Sequence, residues 1–383
     1  MNKLKNKKWK IPLYKICNDS DEIKAVSKVI RRGMDWAIGP EIEKFEKELA
    51  RYIGTKYCVA FNSGTSAGHA ALLSYNLGKN DEILVPSFSF IATANWPLMV
   101  NATPKFVDIE KTNYGIDPQK IEKSVTEKTK AIIPVHYAGL PCRITEIKNI
   151  SKKNNLILIE DAAESIGAEA NKKKVGTFGD LAIFSFAGNK ILTSGEGGAV
   201  VTNSKKQHEK LKLIRSHGRK TTGNYFSSVQ TPKYIELGYN WRMSTIISAL
   251  ALSQLNKIEK LIKLRRANAE RYNKKLKKLK EIKTHSEPEN YKHVYQLFSI
   301  QLPSKKIRDG LMRFLAGRGI MTKVFFDPIH VTRHFSKYTS KQQNLPITRM
   351  ISERILSLPM YPDLTKEEIN EITDAISEFM ERK

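Results

Sequence analysis

Cysteine is scarce in this chain: Cys17, Cys58 and Cys142 are three thiols in 383 residues. They stand far apart and lack metal-site spacing, so plain thiols in a reducing compartment and no metal centre are expected. Long hydrophobic runs are absent as well, none approaching the roughly 18 apolar residues of a membrane span. The basic start, MNKLKNKKWKIPLYK, is followed by neither an apolar stretch nor a small-residue cleavage site. A secretory signal is therefore not expected, and a cytoplasmic protein with no membrane partner is. Acidic residues are in deficit: 39 Asp and Glu face 65 Lys and Arg, a net charge of +26. Such a balance can signal nucleic acid, an acidic membrane face or anionic substrates. The lysines are dispersed, with local clusters at Lys3 to Lys10, Lys172 to Lys174 and Lys274 to Lys283. No nucleic-acid motif or interleaved aromatic accompanies them, so they read as a solvated surface and no nucleic-acid partner is expected.

What remains is an ordinary globular composition, 40% hydrophobic and 27% charged. The length suits one large domain plus a smaller one. Residues 20 to 53 read as helices, with EIEKFEKELARYI carrying apolar positions at helical spacing. The short run YCVAF stops at Asn62-Ser63-Gly64-Thr65, and the small-residue helical stretch SAGHAALLSYNL follows. EILVPSFSF, TPKFVDI, KAIIPVHY and LILIED are β-branched runs separated by helix-compatible segments. This alternation predicts an α/β domain with a largely parallel sheet. LAIFSF and GAVVTN add two strands around a glycine-rich turn. From Ser244 one long helical pattern leads into a smaller part, where YQLFSIQL and MTKVFF read as strands. IRDGLMRFLAGRG and KEEINEITDAISEFMERK read as helices there. The expected division is a large domain over 1–255 and a small α+β domain over 256–383.

Four places carry chemistry. Asp161 ends the strand Leu156-Ile-Leu-Ile-Glu-Asp161, where a carboxylate faces the ligand crevice of a parallel sheet and can pair with a protonated ring nitrogen. A helix cap would use the same residue. Lys190 closes Phe184-Ser-Phe-Ala-Gly-Asn-Lys190 before a glycine-rich turn, in a setting that lets a lysine shed its proton for Schiff-base chemistry. Ser185 stands five residues earlier and can bond a phosphate. Asn62-Ser-Gly-Thr-Ser-Ala67 opens a helix, where free amides and the helix dipole suit an anion. Pro86-Ser-Phe-Ser-Phe90 ends a strand with a ring that can stack on a flat heterocycle. Phosphate turn, stacking ring, strand aspartate and lysine in this order are the layout of a fold-type I enzyme dependent on pyridoxal 5′-phosphate (PLP).

The blocks GPEIEKFEKELARYIG, FNSGTSAGHAALL, DEILVPSFSFIATANW, IIPVHYAGLPC, IEDAAESIGA, GTFGDLAIFSFAGNKILTSGEGGAVVTN, GYNWRMS and SLPMYPDLT resemble the DegT/DnrJ/StrS family of sugar aminotransferases over nearly the whole chain. The resemblance implies that Lys190 holds the cofactor as a Schiff base and shuttles the substrate proton. Asp161 would pair with the pyridinium nitrogen and Phe90 would stack on the ring. Gly64, Thr65 or Ser66, with Ser185, would bind the phosphate, and Asn240 would reach it from a neighbouring subunit of a homodimer. Glu164 stands where many members carry Gln or His near the phenolic oxygen; with the FSFxGNK segment it resembles the perosamine synthase subgroup. His330, in FDPIHVTRHF, falls in a segment near the sugar site. The implied reaction is a ping-pong transamination through the PLP and pyridoxamine phosphate forms. L-glutamate would give the amine and a nucleotide-linked 4-keto-6-deoxy sugar would receive it. The GDP-linked substrate that yields GDP-perosamine is favoured over UDP- or dTDP-linked sugars. Some members are sugar dehydratases with histidine in place of the lysine; retention of Lys190 argues against that activity.

Overall fold

The computed structural model describes residues 9–220, 229, 231–338 and 344–382, so most of the Lys3 to Lys10 cluster lies outside it. Seven strands build the central sheet: β1 (Tyr57–Phe61), β2 (Glu82–Pro86), β3 (Thr103–Val107), β4 (Thr129–Ile132), β5 (Ile157–Asp161), β6 (Leu181–Ser185) and β7 (Gly198–Thr202). Their order is β1-β7-β6-β5-β4-β2-β3. β7 pairs antiparallel with both β1 and β6, while β2 with β3, β2 with β4, β4 with β5 and β5 with β6 are parallel. The mostly parallel sheet of a fold-type I α/β enzyme is therefore present.

Side chains alternate across the strands, and both faces are covered. Val59, Ile83, Ile159 and Ile183 enter one apolar cluster with the helix Gly64–Ser74. Ala60, Ala182, Phe184 and Val201 enter another with the helix Pro40–Ile53. That double burial explains why these strands read as near-continuous apolar runs.

The long helical pattern after Ser244 is two helices, Thr245–Asn256 and Ile258–Leu276. They part at Lys257, whose φ of −112° and ψ of 12° leave the helical region. Its ammonium binds Asp19 at 2.9 Å and Glu22 at 2.7 Å, tying the first helix to the junction. No Pro or Gly marks this break, so periodicity runs straight through it.

The C-terminal part holds a three-stranded antiparallel sheet of Lys283–Thr284, Phe298–Gln301 and Ile355–Leu358. The expected strand YQLFSIQL is confined to Phe298–Gln301. MTKVFF is not a strand; Lys323 makes a lone bridge to Ser357. Side chains take the backbone groups a ladder would have used. The Phe325 carbonyl accepts from the Tyr137 hydroxyl at 2.6 Å, and the Phe326 carbonyl from Ser352 Oγ at 2.8 Å. Ile11 bridges to Ile320 and shares an apolar cluster with Leu311, Leu356 and Ile372, so the N-terminal segment packs on this C-terminal sheet. No helix among the described residues is long and apolar enough to cross a membrane.

Candidate active site

The C-terminal ends of β1, β2, β5 and β6 lie along one edge of the sheet, where parallel α/β sheets bind ligands. The chain leaving these four strands carries Asn62–Ser66, Ser87–Phe90, Asp161–Glu164 and Ser185–Lys190. Residues up to 128 positions apart in sequence thus converge by topology alone.

The turn after β1 is capped by Ser63, whose Oγ accepts the Ser66 amide at 3.0 Å. Helix geometry leaves the amides of Gly64 and Thr65 outside the intrahelical ladder, aimed with the dipole at the edge of the sheet. Ser66 is used differently: its hydroxyl donates to Asn62 Oδ1 at 2.6 Å and closes the turn. Gly64 lies hard against Ser185, since a Cβ there would come within 2.9 Å of the Ser185 Cβ. Across the turn, a Cβ on Gly198 would fall 2.5 Å from the Gly64 nitrogen. Two glycines and a serine thus form a cradle that fits a phosphate bound by backbone amides.

Asp161 is the last residue of β5 and 5% exposed. Its amide donates to the Pro134 carbonyl at 2.9 Å, and its carbonyl accepts the His136 amide at 3.1 Å. On the side chain, Oδ2 accepts from Thr93 Oγ1 at 2.7 Å and Oδ1 from the Ala163 amide at 3.2 Å. Burial pushes its carboxyl above the usual range; the bonds from Thr93 and Ala163 and the Lys190 charge oppose that, while Glu164 adds to it. A buried carboxylate held this way suits a cationic partner, as a pyridinium is.

Lys190 Nζ lies 3.5 Å from Glu164 Oε1, with both side chains largely buried. Glu164 Oε2 accepts the Ala138 amide at 2.9 Å, in a tight turn where Ala138 has φ of +57°. Glu164 is therefore fixed between that turn and the lysine. Phe90 is 61% exposed at the mouth of the site, where its ring is open to a planar ligand. Its nearest aromatic neighbour across the mouth is Phe326, with centroids 6.3 Å apart. The donor set suits PLP: amides for a phosphate, an open ring face, a buried carboxylate and a lysine within one strand end of it.

Two sequence-predicted residues sit apart from this group. His330 is 4% exposed; its Nδ1 is 2.6 Å from Ser87 Oγ, which also accepts its amide, and Nε2 is buried without a partner. It reaches the strand end through Ser87. Asn240 is exposed and bridges Ser216 through its backbone. The carbonyl of the next residue, Trp241, accepts the Asn62 amide at 2.9 Å, which places this segment beside the turn after β1. Among the described residues, no group of His, Cys, Asp or Glu could hold a metal ion.

Residues 16–377 match the DegT/DnrJ/EryC1/StrS aminotransferase family. The chain belongs to that family. As a DegT/DnrJ/EryC1/StrS member it is a sugar aminotransferase that depends on PLP. Over 373 residues it is 34% identical to a GDP-perosamine synthase of Escherichia coli O157:H7, covering 97% of this chain and 99% of that one. A GDP-perosamine synthase of Vibrio cholerae is also 34% identical, over 96% and 99% of the two chains. Among solved structures, the Helicobacter pylori aminotransferase PseC, involved in the biosynthesis of pseudoaminic acid, superimposes with a TM-score of 0.91. It is 31% identical and matches over 97% of this chain and all of its own.

Sequence reasoning did not find Thr93 or Gln296. Thr93 lies in the helix Ala92–Met99, 68 positions before the Asp161 it touches. Gln296 lies 105 positions after the Ile191 amide it binds. No local pattern signals either contact.

Proposed function

We propose that this sugar aminotransferase moves the amino group of L-glutamate to the C4 ketone of a 6-deoxyhexose carried on a nucleoside diphosphate, most favourably GDP. The buried group of Asp161, Glu164 and Lys190 beside the phosphate cradle carries the aminotransferase part of this reading. When bound, PLP supplies the electron sink that lets the carbon bearing the amine lose its proton.

The chain's own residues do the rest. Lys190 Nζ would anchor the cofactor and take up and return the proton of the carbon bearing the amine, with Glu164 Oε1 3.5 Å away to hold the lysine in place. The Asp161 carboxylate keeps the ring nitrogen protonated. The amides of Gly64 and Thr65, the first turn closed by Ser66, and the Ser185 hydroxyl hold the phosphate. Phe90 would offer its exposed ring for stacking on the cofactor. For the sugar, His330 supports the site from behind Ser87 rather than as a free ring.

The GDP-linked substrate is supported by the full-length similarity to the two GDP-perosamine synthases, and by the resemblance of Glu164 with the Phe184–Lys190 segment to the perosamine synthase subgroup. UDP- and dTDP-linked ketosugars are the alternative. A homodimer with shared sites is supported by Tyr234, Ile235 and Leu237, apolar residues that a single chain leaves more than half exposed just before Asn240.

The test is incubation with L-glutamate and, in separate reactions, GDP-, UDP- and dTDP-linked 4-keto-6-deoxy sugars. The expected result is a 4-amino-4,6-dideoxy product and 2-oxoglutarate, formed fastest with the GDP sugar. Fastest turnover of a UDP or dTDP sugar would replace the nucleotide, and no product from any would overturn the substrate class.

A further inference from the structure

We propose that Thr93, backed by Ser89, is a positioning residue that holds the Asp161 carboxylate in register for the cofactor's ring nitrogen. This rests on the reading of Asp161 given above. Thr93 Oγ1 is 2.7 Å from Asp161 Oδ2, and Ser89 Oγ is 2.8 Å from Thr93 Oγ1. Thr93 is 1% and Ser89 4% exposed, so bulk water cannot substitute for either hydroxyl.

Proton counting sets the direction of the chain. An ionised carboxylate only accepts, and each hydroxyl has one proton to give. Thr93 must therefore donate to Asp161, which obliges Ser89 to donate to Thr93. The arrangement is satisfied when Asp161 is charged. A protonated Asp161 would compete with Thr93 for the role of donor. The second oxygen is held by the Ala163 amide at 3.2 Å, so both oxygens are tethered from different elements.

The placement also links two parts of the site. Ser89 and Thr93 flank Phe90, and the Thr93 amide donates to the Phe90 carbonyl at 3.2 Å. One turn thus presents the exposed ring and orients the buried carboxylate. A threonine that merely satisfied its own hydroxyl in the core would have no reason to sit on the one carboxylate at the end of β5.

The charged groups that face Asp161 are Lys190, which favours its ionisation, and Glu164, which opposes it. Its neighbour Glu160 points to the other face of the strand, bound by His136 at 3.1 Å and by the amides of Gly176, Phe178 and Gly179. Burial is the main force against ionisation, and the Thr93 bond is the foremost of those acting against it.

The experiment is a titration of cofactor-free protein with PLP across the acid range, for the wild type, Thr93→Val, Thr93→Ser and Asp161→Asn. Folding is checked by circular dichroism. Asp161→Asn defines how much of the acid-side loss of affinity belongs to that carboxyl. Thr93→Val is expected to move this part upward by about one pH unit, a roughly tenfold change in the ionisation constant. Thr93→Ser, which keeps the hydroxyl, is expected to restore the wild-type profile. A wild-type profile in Thr93→Val, with the carboxyl's contribution lost in Asp161→Asn, overturns the proposal and leaves the Asp161 reading standing. An unchanged profile in Asp161→Asn removes that reading and the proposal with it. If valine prevents folding, Thr93→Ala reads the same shift.

Discussion

Gln296 brackets Lys190. Its Nε2 donates to the Asn189 carbonyl at 2.7 Å, and its Oε1 accepts the Ile191 amide at 2.9 Å, so one buried side chain grips the backbone on both sides of the lysine. Gln296 is itself anchored: Arg265 Nη1 donates to the carbonyls of Tyr295, Gln296 and Met360. The lysine is thereby set by the segment leading into the C-terminal sheet. Gln296→Leu leaves the buried Ile191 amide without its partner, at about 1–3 kcal/mol, and removes the donor from the part-buried Asn189 carbonyl. The denaturation midpoint of the cofactor-free protein is expected to fall, and kcat is expected to fall with the KM for the sugar unchanged. Unaltered stability and kcat would show that the lysine needs no such grip.

The turn after β1 depends on a contact that tolerates no side chain. Trp96 Nε1 donates to the Thr65 carbonyl at 3.0 Å, and its indole lies over Gly68, where a Cβ would meet Trp96 Cε2 at 2.0 Å. Alanine is the better helix former by about 1 kcal/mol, yet overpacking of this kind costs about 1–3 kcal/mol. Gly68→Ala is therefore expected to lower the melting temperature and weaken PLP binding together. A melting temperature equal to or above the wild type would mean the indole moves aside freely.

Asp161 imposes a pH dependence on stability. Burial raises its carboxyl in the folded chain, so the folded state binds that proton more tightly than the unfolded state. Between the ordinary carboxylate value and the raised one, stability falls as pH rises. Cofactor-free Asp161→Asn is expected to be more stable than the wild type at neutral pH, with the gap closing as pH falls through that window. A gap independent of pH would show that the carboxyl is not held above its usual range.

The assignment of Asn240 to a neighbouring subunit has a direct genetic test. In the proposed homodimer, Lys190→Ala and Asn240→Ala are each expected to be poorly active when prepared separately. When the two are refolded together, half of each mixed dimer's sites inherit both defects and the other half neither. Activity is expected to return in the mixture. No recovery, with mixed dimers present, would place Asn240 in its own chain's site.

Much of this site was legible because its parts are local. A run of apolar residues ending in Asp161, a Ser63 cap before small residues, and a lysine between a strand and glycines each declare themselves within about ten residues. The order of such runs also implied the sheet. What stayed hidden depends on distance along the chain or on a single dihedral. The pairing of Thr93 with Asp161 and of Gln296 with Ile191 is created by folding. The break at Lys257 rests on one non-helical residue and its carboxylate partners. MTKVFF has the residue types of a strand, but its carbonyls are claimed by Tyr137 and Ser352.

The central claim, that Lys190 binds PLP and passes an amine from L-glutamate, is tested by the absorption spectrum of the purified protein with and without L-glutamate, beside Lys190→Ala. A visible band that moves to the ultraviolet with glutamate, and that is missing from the PLP-loaded variant before glutamate, is expected. A wild-type band that glutamate leaves unchanged would contradict the amine donor, and an identical band in Lys190→Ala would contradict the lysine.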